Sequence, residues 1–243
     1  MNDQNNDKAA AAPYPGSPAA APVHSQASMG RPSRLNDAMA FLRGFLAHPF
    51  EVASFAPSSV FLEARIVQAA NLAQARCVVE LGPGTGGTTR ALLRALAPQA
   101  RLLAIELNAS FCDRLRRVID DPRLALHAGS AESMTDALRR RQLPAADVVV
   151  TGIPFSTLPV DVAQRIAAAI HANLAPGGRV VAYQCRSHVA TYLNPHFGEP
   201  RSAWEWRSLQ PMRVFVWVKP VDAAGPPGTV LSDKPMPRAT SGD

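Results

Sequence analysis

The chain has 243 residues, a formal net charge of +6, 47% hydrophobic residues and only 18% charged ones. Three cysteines are too few for a disulfide scaffold, and no apolar run approaches the ~18 residues that a bilayer span needs. Residues 1–7 are acidic and amide-rich with no apolar stretch behind them, unlike a secretory signal, so a soluble cytoplasmic protein is expected. The basic excess admits three readings: a nucleic-acid binder, a protein drawn to an anionic membrane, or an arginine-rich surface with no special partner.

Residues 1–34 hold Pro13, Pro15, Pro18, Pro22 and Pro32 among Ala, Ser and Gly, and residues 220–243 hold another five prolines. Both stretches carry too few large apolar residues to offset the entropy of ordering, which predicts disordered tails around a folded part at 35–219. Within 35–47, Leu35, Met39, Leu42, Phe45 and Leu46 share one face of a helical pattern, with Phe41 on its flank and Arg31, Arg34 and Arg43 nearby. An amphipathic helix with a basic edge can lie in a membrane interface or pack across a sheet.

From residue 76 onward short apolar runs alternate with helical patterns. Strands are predicted at 76–81, 101–106, 124–127, 146–151 and 179–184, the last launched by a turn at Pro176-Gly177-Gly178. Helical stretches are predicted near 86–97, 108–119, 130–142 and 159–174, so the alternation makes βαβ units and a parallel sheet covered on both faces. Trp204, Trp206, Val214, Val216 and Val218 alternate in two further runs that predict an antiparallel hairpin at the sheet edge. Cys77 and Cys185 read as small buried hydrophobes in strands, and the three cysteines show no metal-ligand spacing, so no metal is expected.

The run Glu80-Leu81-Gly82-Pro83-Gly84-Thr85-Gly86-Gly87 follows the first strand and opens a helix. Gly82 and Gly84 suit a tight turn against a ligand, and Gly86 or Gly87 suits close packing of helix on strand. The glycines alone also satisfy a dinucleotide pattern, but Glu80 would repel a pyrophosphate and attract an ammonium, as in S-adenosylmethionine. A structural turn with a solvated Glu80 is the alternative. Glu106 ends the second strand, 24 residues beyond Gly82, where a doubly wound fold places its ribose-binding acid; Leu107 follows it. Ser130 and Ala131 follow the third strand, where an adenine would lie, although Ser130 could equally cap the next helix.

These segments resemble class I S-adenosylmethionine-dependent methyltransferases, with Glu80–Gly87, Ile105–Asn108, Gly129–Glu132 and Leu174–Gly178 at the strand ends in the family's order. Within that class the chain is similar to soluble bacterial phospholipid N-methyltransferases, which methylate phosphatidylethanolamine. The segments that carry this are Phe55–Ser59, the glycine loop, Thr151–Phe155 and Met212–Trp217; the first two recur in rRNA adenine dimethyltransferases. The resemblance covers roughly 38–219. It implies a Rossmann-like, mostly parallel seven-stranded sheet with helices on both faces and a C-terminal antiparallel hairpin. It also implies a cofactor site at Glu80, Gly82, Gly84, Thr85, Gly86, Glu106, Leu107, Ser130 and Ala131, and docking through the N-terminal amphipathic helix. Ser130 departs from the acid usual at its position.

Gly152-Ile153-Pro154-Phe155 after the fourth strand is the expected acceptor-binding segment. Enzymes acting on a planar nucleobase nitrogen typically carry Asn or Asp first in this segment, where its side chain and a backbone carbonyl orient the amine. Gly152 has no such side chain, so an aliphatic amine fits better, and Phe155 offers either a substrate-facing ring or core packing. An aliphatic ammonium, with a pKa near ~10.4, must lose a proton before methyl transfer. His188 and Tyr192, placed in a loop after the fifth strand, are candidate bases, while Tyr183 reads as a packed aromatic. Arg139–Arg141 and Arg114, Arg116 and Arg117 read as solvated helix faces. The expectation is a phosphatidylethanolamine-type N-methyltransferase, peripheral on the inner membrane. Its rivals are an rRNA adenine N6-dimethyltransferase, disfavoured by Gly152 and by the short chain after 219, and a non-catalytic cofactor-binding module.

Overall fold

The computed structural model describes residues 60–208 and 211–221. The predicted tails, the amphipathic stretch 35–47 and the segment 55–59 lie outside the described residues.

The apolar runs form the strands of a single seven-stranded sheet, in the order β3-β2-β1-β4-β5-β7-β6. β1 (Cys77–Leu81), β2 (Arg101–Glu106), β3 (Leu124–Ala128), β4 (Ala146–Thr151) and β5 (Leu174–Gln184) are parallel, while β7 (Met212–Val218) runs antiparallel to both β5 and β6 (Arg201–Glu205). Every residue of β1 is buried, as a central strand covered on both faces requires. The helices are α1 (Val60–Ala70), α2 (Gly87–Ala95), α3 (Ala109–Val118), α4 (Met134–Arg140), α5 (Val160–Asn173) and α6 (His188–Phe197).

Period-two alternation sorts the strand side chains into two cores. Val79, Leu81, Val180 and Ala182 join α4, α5 and α6 on one face, and Val78, Val181 and Tyr183 join α1 and α2 on the other. Chain order reverses between β1 and β4, so the crevice beyond their C-terminal ends is where a doubly wound fold takes its ligand.

Four local expectations are corrected. The turn at Pro176-Gly177-Gly178 lies inside a longer strand: Leu174 already pairs with Ala146 and Arg179 with Val148, and the extra residues bulge. Lys219 fixes that bulge, its carbonyl accepting from the Gly177 amide and its own amide donating to the Gly178 carbonyl. The helix predicted at 130–142 is a 3-10 turn, Ala131–Ser133, followed by the shorter α4. His188 and Tyr192 stand on α6, not in a loop. Cys185 falls just beyond β5 and is exposed, its thiol directed at Met212 Sδ at 3.2 Å, whereas Cys77 and Cys112 are buried.

Candidate functional site

The loop after β1 turns back through Gly82, Gly84 and Gly86, all at positive φ. Gly86 decides which of the adjacent glycines is structural. A Cβ there would lie 2.5 Å from Leu115 Cδ2 and its φ is +85°, so neither a side chain nor an ordinary backbone conformation fits where α2 starts against α3. Thr85, on the same loop, is partly exposed.

Glu80 is fully buried on the face of β1 that also carries Val78, and both its carboxylate oxygens lack a hydrogen-bond partner among the described residues. The Thr89 hydroxyl of α2, also without a partner, is close enough to favour the charged form slightly. Burial dominates and pushes the Glu80 carboxyl up to about 8. A buried carboxylate with no partner is costly unless a cation meets it. These residues therefore fit the ammonium of S-adenosylmethionine, and Glu80 is the side chain that would hold it.

Glu106, 5% exposed at the end of β2, accepts from backbone amides: Gly84 N–H donates to Oε2 at 3.1 Å and Asn108 N–H to Oε1 at 2.9 Å, with the Leu107 amide also favouring its charged form. Burial raises its pKa, opposed by those amides. The carboxylate thus ties the glycine loop to the end of β2, and its oxygens keep lone-pair capacity for a ribose hydroxyl. Glu106→Ala is expected to weaken cofactor binding by about 1–3 kcal/mol, as for loss of charged hydrogen bonds. Unchanged affinity by calorimetry would remove Glu106 from the site.

Of the two readings of Ser130, capping is the one observed. Its hydroxyl accepts from Glu132 N–H at 3.2 Å and donates to Glu132 Oε2 at 3.0 Å, at the start of the 3-10 turn. Glu132 in turn pairs with Arg165 of α5. Ala131 is buried in the core, and Leu107 is partly exposed directly after β2.

The segment after β4 is shaped by β5. Register pairs Thr151 with Ala182, which sets Gly152 beside Tyr183. A Cβ on Gly152 would lie 2.3 Å from the Tyr183 hydroxyl and 2.6 Å from Cζ. The space that an Asn or Asp side chain would use is therefore occupied by a phenol, whose oxygen accepts from Thr88 Oγ1 at 3.3 Å. Burial, with the Glu80 charge next, raises the Tyr183 pKa, so the phenol stays neutral. The Ile153 carbonyl accepts from Gln184 Nε2 at 2.6 Å. Both acceptors of a nucleobase-amine clamp are thus altered, one replaced by a hydroxyl and the other engaged by a side chain. Pro154 leads into a short 3-10 turn, Phe155–Thr157. The Phe155 ring is 1% exposed in the core and meets Tyr192 of α6 at 5.9 Å between centroids, which is the packing alternative rather than a substrate-facing ring. His188 is exposed at the start of α6, and Tyr192 is half-buried against the core.

Sequence reading missed the contributions of Tyr183 and Gln184 here. The only route to them was the β4–β5 register, because the Gln184–Ile153 contact spans 31 residues of sequence and has no local signature. The α6 helix did leave a signal: Val189 and Leu193 are buried four residues apart, and Phe197 continues the stripe. Among the described residues no helix is long and apolar enough to cross a membrane, and no group of three or more His, Cys, Asp or Glu side chains could hold a metal.

Residues 78–178 match the model of a methyltransferase domain family. An ornithine lipid N-methyltransferase of Singulisphaera acidiphila is 32% identical over 145 residues, covering 59% of this chain and 76% of that protein. The chain belongs to the class I S-adenosylmethionine-dependent methyltransferases, and S-adenosylmethionine is its cofactor. A ribosomal RNA small subunit methyltransferase A of Parasynechococcus marenigrum is 39% identical over 93 residues, 38% of this chain and 30% of its own length. The O-methyltransferase TomG of Streptomyces achromogenes superposes with a TM-score of 0.53 at 20% identity, covering 78% of this chain and 91% of that one. The N-methyltransferase NodS of Bradyrhizobium japonicum gives 0.52 at 16% identity, covering 67% and 98%. These two structures support the seven-stranded fold and nothing finer.

Proposed function

We propose that this enzyme methylates the primary amine of a lipid head group, of the phosphatidylethanolamine type, at the cytoplasmic face of a membrane. The observation that carries this reading is the altered clamp: the Tyr183 hydroxyl in the space beside Gly152, and Gln184 on the Ile153 carbonyl. An sp³ amine presents its lone pair without needing two in-plane acceptors, so it tolerates this site, whereas an adenine amino group finds no Asn or Asp side chain at Gly152 and shares the Ile153 carbonyl with Gln184. The lipid relative from Singulisphaera acidiphila supports the same class of acceptor and favours a second candidate, the amine of an aminoacyl lipid. The matches to ribosomal RNA small subunit methyltransferases span 25% to 42% of those proteins, against 76% for the lipid relative, and so favour RNA less.

Bound S-adenosylmethionine supplies an electrophilic methyl group on a sulfonium. The protein's part is to position the two reactants and to relieve the acceptor of its proton. Glu80 holds the cofactor's ammonium and Glu106 its ribose. The glycine loop gives the backbone close approach, with Thr85, Leu107, Ser130 and Ala131 around the nucleoside. Gly152, Ile153 and Pro154 line the acceptor side, with Phe155 packed beneath. His188 and Tyr192, four residues apart on α6, are the candidate bases.

A lipid ammonium has a pKa near ~10, so at saturating cofactor the turnover rate is expected to climb with pH at the acid end and to level off once the group that takes the acceptor's proton is itself deprotonated. Stopped assays on detergent-dispersed phosphatidylethanolamine read this directly. A profile with no acid limb at any pH at which the protein stays folded would point to an acceptor with no proton to lose, and against this reading.

A further inference from the structure

We propose that the β6 edge of the sheet is a docking surface for an anionic lipid bilayer, a proposal that rests on the lipid reading of the acceptor. Trp204 and Trp206 stack on each other with centroids 5.1 Å apart and are 39% and 66% exposed, which is unusual for the residue type with the largest apolar surface. Phe61, at the start of α1, is 44% exposed and lies under the Arg207 guanidinium. Over residues 201–213 three arginines, Arg201, Arg207 and Arg213, stand against a single acid, Glu205. That acid is buried and already paired with Arg65 and Arg207, so the edge presents net positive charge.

The register places this edge at the reacting end of the sheet. Gln184, whose amide engages the Ile153 carbonyl, pairs across β5–β7 with Arg213, and Arg213 pairs across β7–β6 with Trp204. Two strand spacings, about 10 Å, therefore separate the acceptor segment's neighbour from the aromatic pair. A bilayer held at this edge would bring head groups alongside the crevice.

The paired, exposed indoles beside cations and the lipid reading of the acceptor favour a membrane over a nucleic acid. Bases bind aromatic side chains face to face. Here Arg207 lies 4.4 Å over the Phe61 ring, Arg213 5.9 Å over Trp204, and Trp206 stacks on Trp204, so the Trp204 ring is engaged by both neighbours. What the edge offers outward is the largely exposed Trp206 indole next to Trp204, with Arg213 over the Trp204 ring. That combination of amphipathic indoles and cations suits the head-group layer of an anionic leaflet.

The test uses the full chain and mixed phosphatidylcholine–phosphatidylglycerol vesicles, which contain no primary-amine lipid, so docking is measured apart from acceptor choice. Trp204→Ala/Trp206→Ala is expected to lower the vesicle partition coefficient by about tenfold or more, from lost apolar burial. The wild-type coefficient should also fall as salt is raised. In the wild type, vesicles should shift the emission of the exposed indoles to shorter wavelength, while Trp217, 1% exposed and bonded to Asn194, contributes a constant background. The double variant should keep wild-type cofactor affinity and wild-type rate on detergent-dispersed lipid amine. Four results would overturn the proposal: equal partition of wild type and double variant, no partition of the wild type, preferential binding of the edge to RNA, or loss of cofactor affinity in the variant. A rate on dispersed lipid amine that is zero in the wild type would instead sink the lipid reading itself, whatever the vesicles show.

Discussion

Replacing Glu80 by Gln should weaken S-adenosylmethionine binding by about 1.5–3 kcal/mol, the range for a hydrogen bond to a charged group, and at the same time stabilise the ligand-free protein above pH ~8. The two effects share one cause. The carboxyl is fully buried with neither oxygen hydrogen-bonded among the described residues, and burial lifts its pKa from the ordinary carboxylate range to about 8. The unfolded chain releases this proton near pH 4.5, whereas the folded chain keeps it to about pH 8. Between those values the native state binds more protons, so this group's contribution to stability is complete below the lower pKa and declines as pH rises through the upper one. The amide of the Glu80→Gln variant does not titrate, and the decline should disappear. Cofactor binding reverses the balance, because an ammonium against the carboxyl favours its charged form. At pH ~7 binding should therefore release close to one proton, read by calorimetry in buffers of different ionisation enthalpy. No proton release, or wild-type affinity in Glu80→Gln, would show that the ammonium lies elsewhere.

Gly152→Ala is expected to destabilise the protein by about 1–3 kcal/mol, the cost of forcing an extra carbon into a packed interior. The new Cβ would sit 2.3 Å from the Tyr183 hydroxyl, and that ring is buried with its oxygen held by Thr88. In a domain of this size the melting temperature should fall by a few degrees to about ten. Gly152→Asn, which restores the side chain used on nucleobase amines, should be worse, and should not create activity on RNA. Shortening the neighbour tests the cause: Gly152→Ala combined with Tyr183→Leu should lose markedly less stability than the two single changes summed. Additive losses, or a Gly152→Asn protein as stable as wild type, would mean that the phenol does not guard this space.

The sequence was legible where a single strand and its following loop carry the information. The all-buried run of β1 and the glycines after it announced both the parallel sheet and the cofactor end, and Glu106 stood where the second strand had to finish. It was less legible where two elements decide jointly. Pro176-Gly177-Gly178 has every mark of a turn, yet pairing of Leu174 with Ala146 draws the segment into β5 as a bulge. The α6 helix is flanked by Ser187 at its N-cap and Gly198 at its end and carries an apolar stripe, but Pro195 inside its last turn and a Ser187 side chain that makes no cap hydrogen bond argue for a loop. The acceptor site was half legible. The missing side chain of Gly152 was plain, but what fills its place depends on strand register, which no local pattern states.

Transfer of labelled methyl groups from S-adenosylmethionine is the most direct measure of the central claim, that the crevice serves a lipid amine. Purified protein should be offered, separately, vesicles containing phosphatidylethanolamine, vesicles containing ornithine lipid, and 30S ribosomal subunits, with label counted in the lipid extract and in the RNA. Label in the amine of a lipid head group, and none in RNA, is the predicted outcome. Label in RNA with none in either lipid, or cofactor binding with transfer to none of the three, would contradict it.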